Sequence, residues 1–571
     1  MADRISVARS SVASISNANA VALTADGKKA IIDNESVNYK AQQTPKDSLD
    51  RPDLEGGALA AGGAPDLYSR DNIGLLINYA SVGLVYGAFP QTIYPFLSYY
   101  LNMESYQLNA ARTLVSIAWS FKVFIGIITD SFPIMGYKRR PYMVIGWGFC
   151  MAILIVMFFL PVPEAYYIYG QAVPKLPLDF KIVQSPEASS SGAIYIILMT
   201  LAAIGYVVAD VAADGMTVEF AMREPESMRG TTQSMIYFTR TVFSTIAVLI
   251  VGFLFNGKDY GGDFNFSIQF NWLMLIIAFG AFWSIPGSIL FLKEKKATTE
   301  AFTNRVIEMW KIAQRRAVWQ VMAFSFLNSL MFDISVSSSY DVQKIWAGVQ
   351  PINETISTVL GNIVFATAIY LTKRFFLQTN WRFTILWTTL SVVAIDLVVV
   401  ILTVFDIHRS QWMWLGVPIM ELLPYGMRFL ICTLVIVEIA DEGYEAATYG
   451  LLTTVSNLAT PFASTITNQI GTHFLATPKH IASDTDEVRW SVFYTFLIMY
   501  ACKLLSNVTL FLLPKQKKEA QELKRNGGSN KWAGGATLIL MAFALVWSVM
   551  TNMFSMFEST SCLKIAGGTG C

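Results

Sequence analysis

Residues 122–141 run Lys122-Val-Phe-Ile-Gly126-Ile-Ile-Thr-Asp130-Ser-Phe-Pro133-Ile-Met-Gly136-Tyr-Lys138-Arg139-Arg140-Pro141. The first part closes an apolar run that begins near residue 108, and Pro141 leads into the next, 142–161. Between the two lie one acid and three adjacent bases. Lys122, Gly126 and Asp130 recur at i, i+4 and i+8, the spacing of a single stripe on an α-helix. A charged stripe on an otherwise apolar helix, a short basic loop, and at once a second apolar helix: this is how a chain folds when its solvent is lipid.

The rest of the sequence extends the pattern. Of 571 residues only 15% are charged, 54% are hydrophobic and 13% aromatic, whereas about a quarter of an average soluble chain is charged. Runs long enough to cross a bilayer fall near 73–99, 108–128, 142–161, 193–215, 231–255, 268–292, 317–337, 354–372, 383–405, 413–438, 447–475, 489–513 and 532–554. They are too long and too continuous for barrel strands, so the expectation is thirteen helices in an all-α polytopic membrane protein. The segments after even-numbered runs, with the stretch before the thirteenth, hold twenty-one Lys and Arg, the opposite segments seven. That bias puts the N-terminus in the cytoplasm and the C-terminus outside. Residues 1–70 lack apolar periodicity and a signal-peptide core, and read as a disordered cytoplasmic tail.

Three cysteines, Cys150, Cys432 and Cys502, lie inside apolar runs. Cys562 and Cys571 lie beyond the last run, where they either pair across a Gly-rich gap or stay free. The sequons at Asn265 and Asn353 fall in segments expected outside, making both glycosylation candidates. With no CxxC and only three His, neither a metal nor a cofactor is expected, and a net charge of +1 gives no reason to expect nucleic acid.

Charges inside apolar runs carry the functional information, because each is costly in hydrocarbon unless paired or hydrated. They are Lys122, Asp210, Asp214, Arg240, Asp333, Asp396, Glu421, Arg428 and Lys503. Lys122, Asp210, Asp214, Arg240, Asp396 and Arg428 are the candidates for a substrate or proton pathway. Asp210 and Asp214 are one helical turn apart, so they form either a proton site or an anchor for a cation, and Arg240 is a candidate partner for Asp210. A gate is expected from Gly126, Asp130, Lys138, Arg139, Arg140, Glu219 and Arg229.

The longest basic segment follows the sixth run and divides the first twelve into six and six. Ala-Asp214-Gly215 at the end of the fourth run is faintly echoed by Ala-Asp441-Glu442-Gly443 at the end of the tenth. Two six-helix halves with a repeat define a major facilitator fold. The expected parts are a first half at 71–292, a cytoplasmic linker at 293–316 and a second half at 317–513. A basic loop at 514–531, an extra transmembrane helix at 532–554 and an external tail at 555–571 complete the chain.

Facilitators carry an Asp and a Gly near a basic cluster in this loop, but five residues separate Asp130 from Gly136 here where two are usual. With that spacing, 130–142 resembles the folate–biopterin transporter family. So do Ala213-Asp214-Gly215-Met-Thr-Val-Glu219, Arg229-Gly230-Thr-Thr-Gln233-Ser234 and Tyr86-Gly87-Ala-Phe-Pro90. The resemblance is strong over 73–255 and vaguer over 317–513. It implies a secondary transporter of folates or pterins at the plasma membrane, proton-coupled, with a small-molecule substrate and the bilayer as its partners. The alternatives are transport of another metabolite such as S-adenosylmethionine, or a sensor or scaffold that transports nothing. No nucleophile elbow, HExxH or phosphate loop points to an enzyme.

Overall fold

Each of the thirteen apolar runs coincides with a long helix in the computed structural model, which describes residues 62–172, 181–225, 231–296, 302–372, 375, 379–439, 445–566 and 570. The first six are α1 (Ile73–Tyr100), α2 (Ser105–Ser131), α3 (Arg140–Phe159), α4 (Gly192–Met222), α5 (Thr231–Leu254) and α6 (Phe270–Leu290). The next six are α7 (Arg316–Asp333), α8 (Pro351–Leu371), α9 (Trp381–Val404), α10 (Gln411–Ile439), α11 (Glu445–Gly471) and α12 (Asp486–Leu512), followed by α13 (Lys531–Phe554). No β-strand occurs among the described residues, as expected where only an element that satisfies its own backbone can cross hydrocarbon. Nine of the helices meet a membrane-crossing criterion of length and apolarity among the described residues; α7, α8, α10 and α11 are the other four. These four carry polar groups: Asp333 ends α7, Asn353 and Glu354 open α8, Glu421 and Arg428 interrupt α10, and Asn457, Asn468 and Gln469 lie in α11.

The described residues within 65–221 and 231–570 form one compact unit; residues 62–64 with 222–225 fall in another, in which Arg223 Nη2 donates to the Gly62 carbonyl at 2.9 Å. Within the large unit the apolar core follows the two halves. One cluster gathers residues from Leu67 to Leu292 around Phe96 and Trp147. The second half has clusters built on Phe326 and Trp381, and on Trp346 and Phe496. α1 lies backbone-to-backbone along α5. A Cβ on Gly83 would collide with the Arg240 carbonyl and one on Gly87 with that of Ser244. Small residues thus let two membrane helices touch, which sets the position of Arg240.

Besides α12, which ends in a 3₁₀ segment over Ser506–Leu512, two helices of the first half depart from regular α geometry. α1 widens to π-helix over Ile93–Tyr100, and α2 tightens to a 3₁₀ turn over Ala118–Phe121, immediately before Lys122. Both halves meet along α2 and α11, where Ser120 Oγ donates to the Asn457 carbonyl at 3.2 Å. Further contacts gather at the end opposite the 132–139 loop. There Tyr94 and Tyr99 donate to the Val349 carbonyl at 3.0 and 2.8 Å, and Lys344 Nζ to the Ser98 carbonyl at 2.5 Å.

α13 packs against α11 and α2, so it touches both halves. Thr551 and Thr465 hydroxyls lie 2.9 Å apart, and Asn552 Nδ2 donates to Thr465 Oγ1 at 3.0 Å. Met556, just past α13, joins the core of the first half. Cys562 is disulfide-bonded; Cys571 lies outside the described residues.

Candidate functional site

The loop between α2 and α3 is fastened from three sides. Arg139 Nη2 meets Asp130 Oδ1 at 2.7 Å, and Nη1 donates to Thr129 Oγ1 at 3.2 Å. Its Nε faces Glu219 Oε1, on α4, at 3.4 Å. The guanidinium lies flat on Gly215, where any Cβ would overlap it. Glu294 is the anchor that the sequence patterns do not single out. Its Oε1 accepts from the backbone N–H groups of Lys138 and Arg139 at 2.7 and 2.9 Å, and its Oε2 from that of Arg140 at 2.9 Å. A carboxylate there fits the unpaired N–H groups and positive dipole end of α3. Arg140 in turn donates to the Ser288 and Ile289 carbonyls at 3.0 and 2.5 Å, at the C-terminal end of α6. Gly126 lies on the same stripe, where an added Cβ would meet only Val211, at 3.9 Å. Arg229 and the Asp441–Gly443 echo lie outside the described residues.

About two helical turns deeper, Lys122 lies between two carboxylates. Its Nζ is 2.7 Å from Asp210 Oδ2 and 2.7 Å from Asp214 Oδ2. Asp210 is fully buried and its Oδ1 receives no hydrogen bond, whereas the Asp214 side chain is 37% exposed. Tyr79, on α1, donates to Asp214 Oδ1 at 2.5 Å. The ammonium also lies 4.5 Å from the centre of the Trp119 ring. Arg240 forms no ion pair with Asp210 within salt-bridge distance; instead its guanidinium is surrounded by the rings of Tyr237, Tyr86 and Trp119 at 5.0, 5.8 and 6.0 Å. Tyr86 meets Trp119 edge-on, and Trp119 Nε1 donates to Tyr206 at 3.1 Å. The 3₁₀ turn of α2 is what brings Trp119 and Lys122 to the same side. Two acids, two bases and three exposed or half-buried rings thus converge from α1, α2, α4 and α5. Such a set can hold a flat ring by stacking while its charges satisfy polar edges.

The second half has its own cluster. Arg428 donates to Asn328 Oδ1, its guanidinium lies 3.9 Å from the Phe332 ring centre, and its Nη1 is buried without a partner. Asn328 is held by the Ser506 carbonyl and Thr509. Lys503 Nζ donates to the Phe332 carbonyl at 2.9 Å. Asp396 accepts from Tyr500 at 2.9 Å, and Asp333 from Thr460 at 2.6 Å. Asp396 and Arg428 therefore belong to a different cluster from Lys122, Asp210, Asp214 and Arg240. Of the two sequons, Asn265 is exposed, while Asn353 is 7% exposed and donates to Gln411 Oε1 at 2.7 Å.

Two six-helix halves, each with buried charges facing its neighbours, define a secondary transporter of the major facilitator fold rather than an enzyme. The fold is shared with a D-xylose–proton symporter, with a TM-score of 0.51 at 12% identity over 78% of this chain and 98% of that one. The inward-open xylose transporter XylE of E. coli gives a TM-score of 0.51 at 11% identity over 80% and 99%. The chain belongs to the BT1 family, which it matches over residues 83–171 and 180–531. Its relatives include probable folate-biopterin transporter 5 of Arabidopsis thaliana, 20% identical over 72% of this chain and 77% of that one. Probable folate-biopterin transporter 2 of the same plant is 20% identical over 72% and 76%. A folate transporter of Plasmodium falciparum is 33% identical over a short stretch, 10% of this chain and 12% of that one. The protein is thus an integral membrane transporter of a small molecule.

Proposed function

We propose that the solute is a folate or pterin, imported across the plasma membrane with the N-terminus and the Arg139 loop in the cytoplasm. The observation that carries this reading is Lys122 bridging Asp210 and Asp214 beside the Tyr86, Trp119 and Arg240 surface. A pterin ring stacks on an aromatic face and offers amino and ring N–H groups to a carboxylate. The half-exposed Asp214 is suited to accept them. The carboxylates of a folate tail call for a guanidinium, which Arg240 or Arg428 supplies. The names of the relatives support the same substrate class. Asp130, Arg139 and Glu219 act as a latch at the cytoplasmic end, opening and re-forming as the halves rock about the central site. The twenty-one to seven bias in Lys and Arg supports the orientation, and so does the disulfide of Cys562, which needs an oxidising compartment.

One feature favours a second substrate. The half-exposed Asp214 carboxylate, with the Trp119 and Tyr86 rings in the same site, also suits a compact organic cation such as a sulfonium. Uptake of labelled folate, biopterin and S-adenosylmethionine by cells expressing the chain separates the two. Accumulation of folate or biopterin supports the first reading, and accumulation of S-adenosylmethionine alone replaces it with the second.

A further inference from the structure

The two halves do not balance the charges inside their apolar helices in the same way. In the first half Asp210 and Asp214 face Lys122 and Arg240, two acids against two bases, with Lys122 in direct contact with both acids. In the second half three carboxyl groups, Asp333, Asp396 and Glu421, lie in the field of only two cations, Lys503 and Arg428. Neither cation is committed to a carboxylate. Lys503 donates to a backbone carbonyl, Arg428 to an amide oxygen, and among the described residues no ion pair involves any of the three acids. A carboxylate without a cation inside a membrane protein is costly, and the least expensive remedy is to bind a proton.

Resting on the transport reading above, we propose that this surplus carboxyl is the coupling-ion site: Glu421 carries one proton through the transport cycle, while the first-half cluster stays charge-balanced and handles the solute. The choice among the three acids follows from their hydrogen bonds. Thr460, from α11, donates to Asp333, and Tyr500, from α12, donates to Asp396. A donated hydrogen bond stabilises the ionised form. Glu421 receives none from any described residue, so it is the group on which the shared proton resides. On its own helix it shares a face with Tyr425 and Arg428, at i+4 and i+7. Lys503 faces it from α12 and Asp396 from α9; the thiols of Cys432 and Cys502 lie beside Arg428 and Lys503 respectively. The step is a simple protonation. Hydronium on one side gives its proton to the carboxylate, the neutral acid crosses with the conformational change, and water on the other side takes the proton. With Glu421 ionised, Lys503 is drawn toward it; with Glu421 neutral, Lys503 stays on the Phe332 carbonyl.

The test uses the purified full-length protein and two readouts. The first needs no solute: infrared titration between acid and alkaline pH, reading the protonated-carboxyl stretch. The parent should show a titrating band that Glu421→Gln removes, Glu421→Asp retains and Asp210→Asn leaves in place. The second uses liposomes and labelled folate. Glu421→Gln should fall to the equilibrium level in accumulation driven by a proton gradient, yet exchange preloaded folate within about twofold of the parent. A band that survives Glu421→Gln, or that Asp210→Asn removes, overturns the proposal. If the parent moves no folate, the substrate reading fails, and the infrared titration still decides where the proton sits.

Discussion

Lys122 is the residue on which most of the first half depends. It neutralises a buried carboxylate at one 2.7 Å contact and a half-exposed one at another. Removing one member of a buried ion pair strands the other and costs about 3–5 kcal/mol. Lys122→Met should therefore abolish transport and lower thermal stability in detergent, and Lys122→Met with Asp210→Asn should recover much of the stability but not the transport. Asp130 behaves differently, because it lies at a protein end and its partner Arg139 keeps Thr129 and Glu219. Asp130→Asn should leave the protein abundant in the membrane while reducing the initial uptake rate at least about tenfold, the loss expected for a missing gate contact; normal kinetics would remove Asp130 from the mechanism. Asp484, in the loop before α12, supplies a pH effect outside the bilayer. Burial works against its charge, but Arg409 at 2.6 Å and Arg489 at 2.9 Å outweigh it and hold the carboxyl below its usual range. A group whose value is lowered on folding contributes stability above the ordinary carboxylate pKa of about 4, and that contribution is lost as pH falls through the lowered value. In thermal melts against pH, Asp484→Asn should be less stable than the parent near neutrality and converge with it in acid.

At the scale of elements, apolar run length located all thirteen helices, because twenty consecutive lipid-compatible residues leave little else for a chain to do. Helical spacing likewise put Lys122, Gly126 and Asp130 on one stripe. Partner choice was not legible. Whether Asp210 meets Lys122 or Arg240 depends on how α2, α4 and α5 pack, and that depends on close contacts such as those of Gly83 and Gly87 of α1 with the backbone of α5. Glu294 was hidden for a similar reason: it is one acid in a basic segment, and only the fold brings it to the start of α3. The sequons looked equivalent in sequence, but Asn353 is buried against Gln411 and Asn265 is exposed. Asn265→Gln should therefore abolish a glycosidase-sensitive gel shift that Asn353→Gln preserves. A shift that depends on Asn353 would contradict the packing at the start of α8.

As a whole molecule, the protein adds to the twelve-helix fold a thirteenth helix that touches both halves along α2 and α11. Its buried Thr465, Thr551 and Asn552 hydrogen bonds lie where a rocking motion must either carry α13 with one half or break them. Nothing in the run 532–554 announced that position, since a charge-free apolar helix looks the same wherever it docks. The central claim is nevertheless the first-half site and its substrate. The most direct measurement is initial uptake of labelled folate and biopterin by intact cells expressing the parent chain or Lys122→Met at matched surface abundance, as external pH is lowered. The account predicts saturable uptake by the parent that rises with acidity and is absent from Lys122→Met. Equal uptake by the two proteins, or none of either solute by a parent shown to reach the surface, would contradict it.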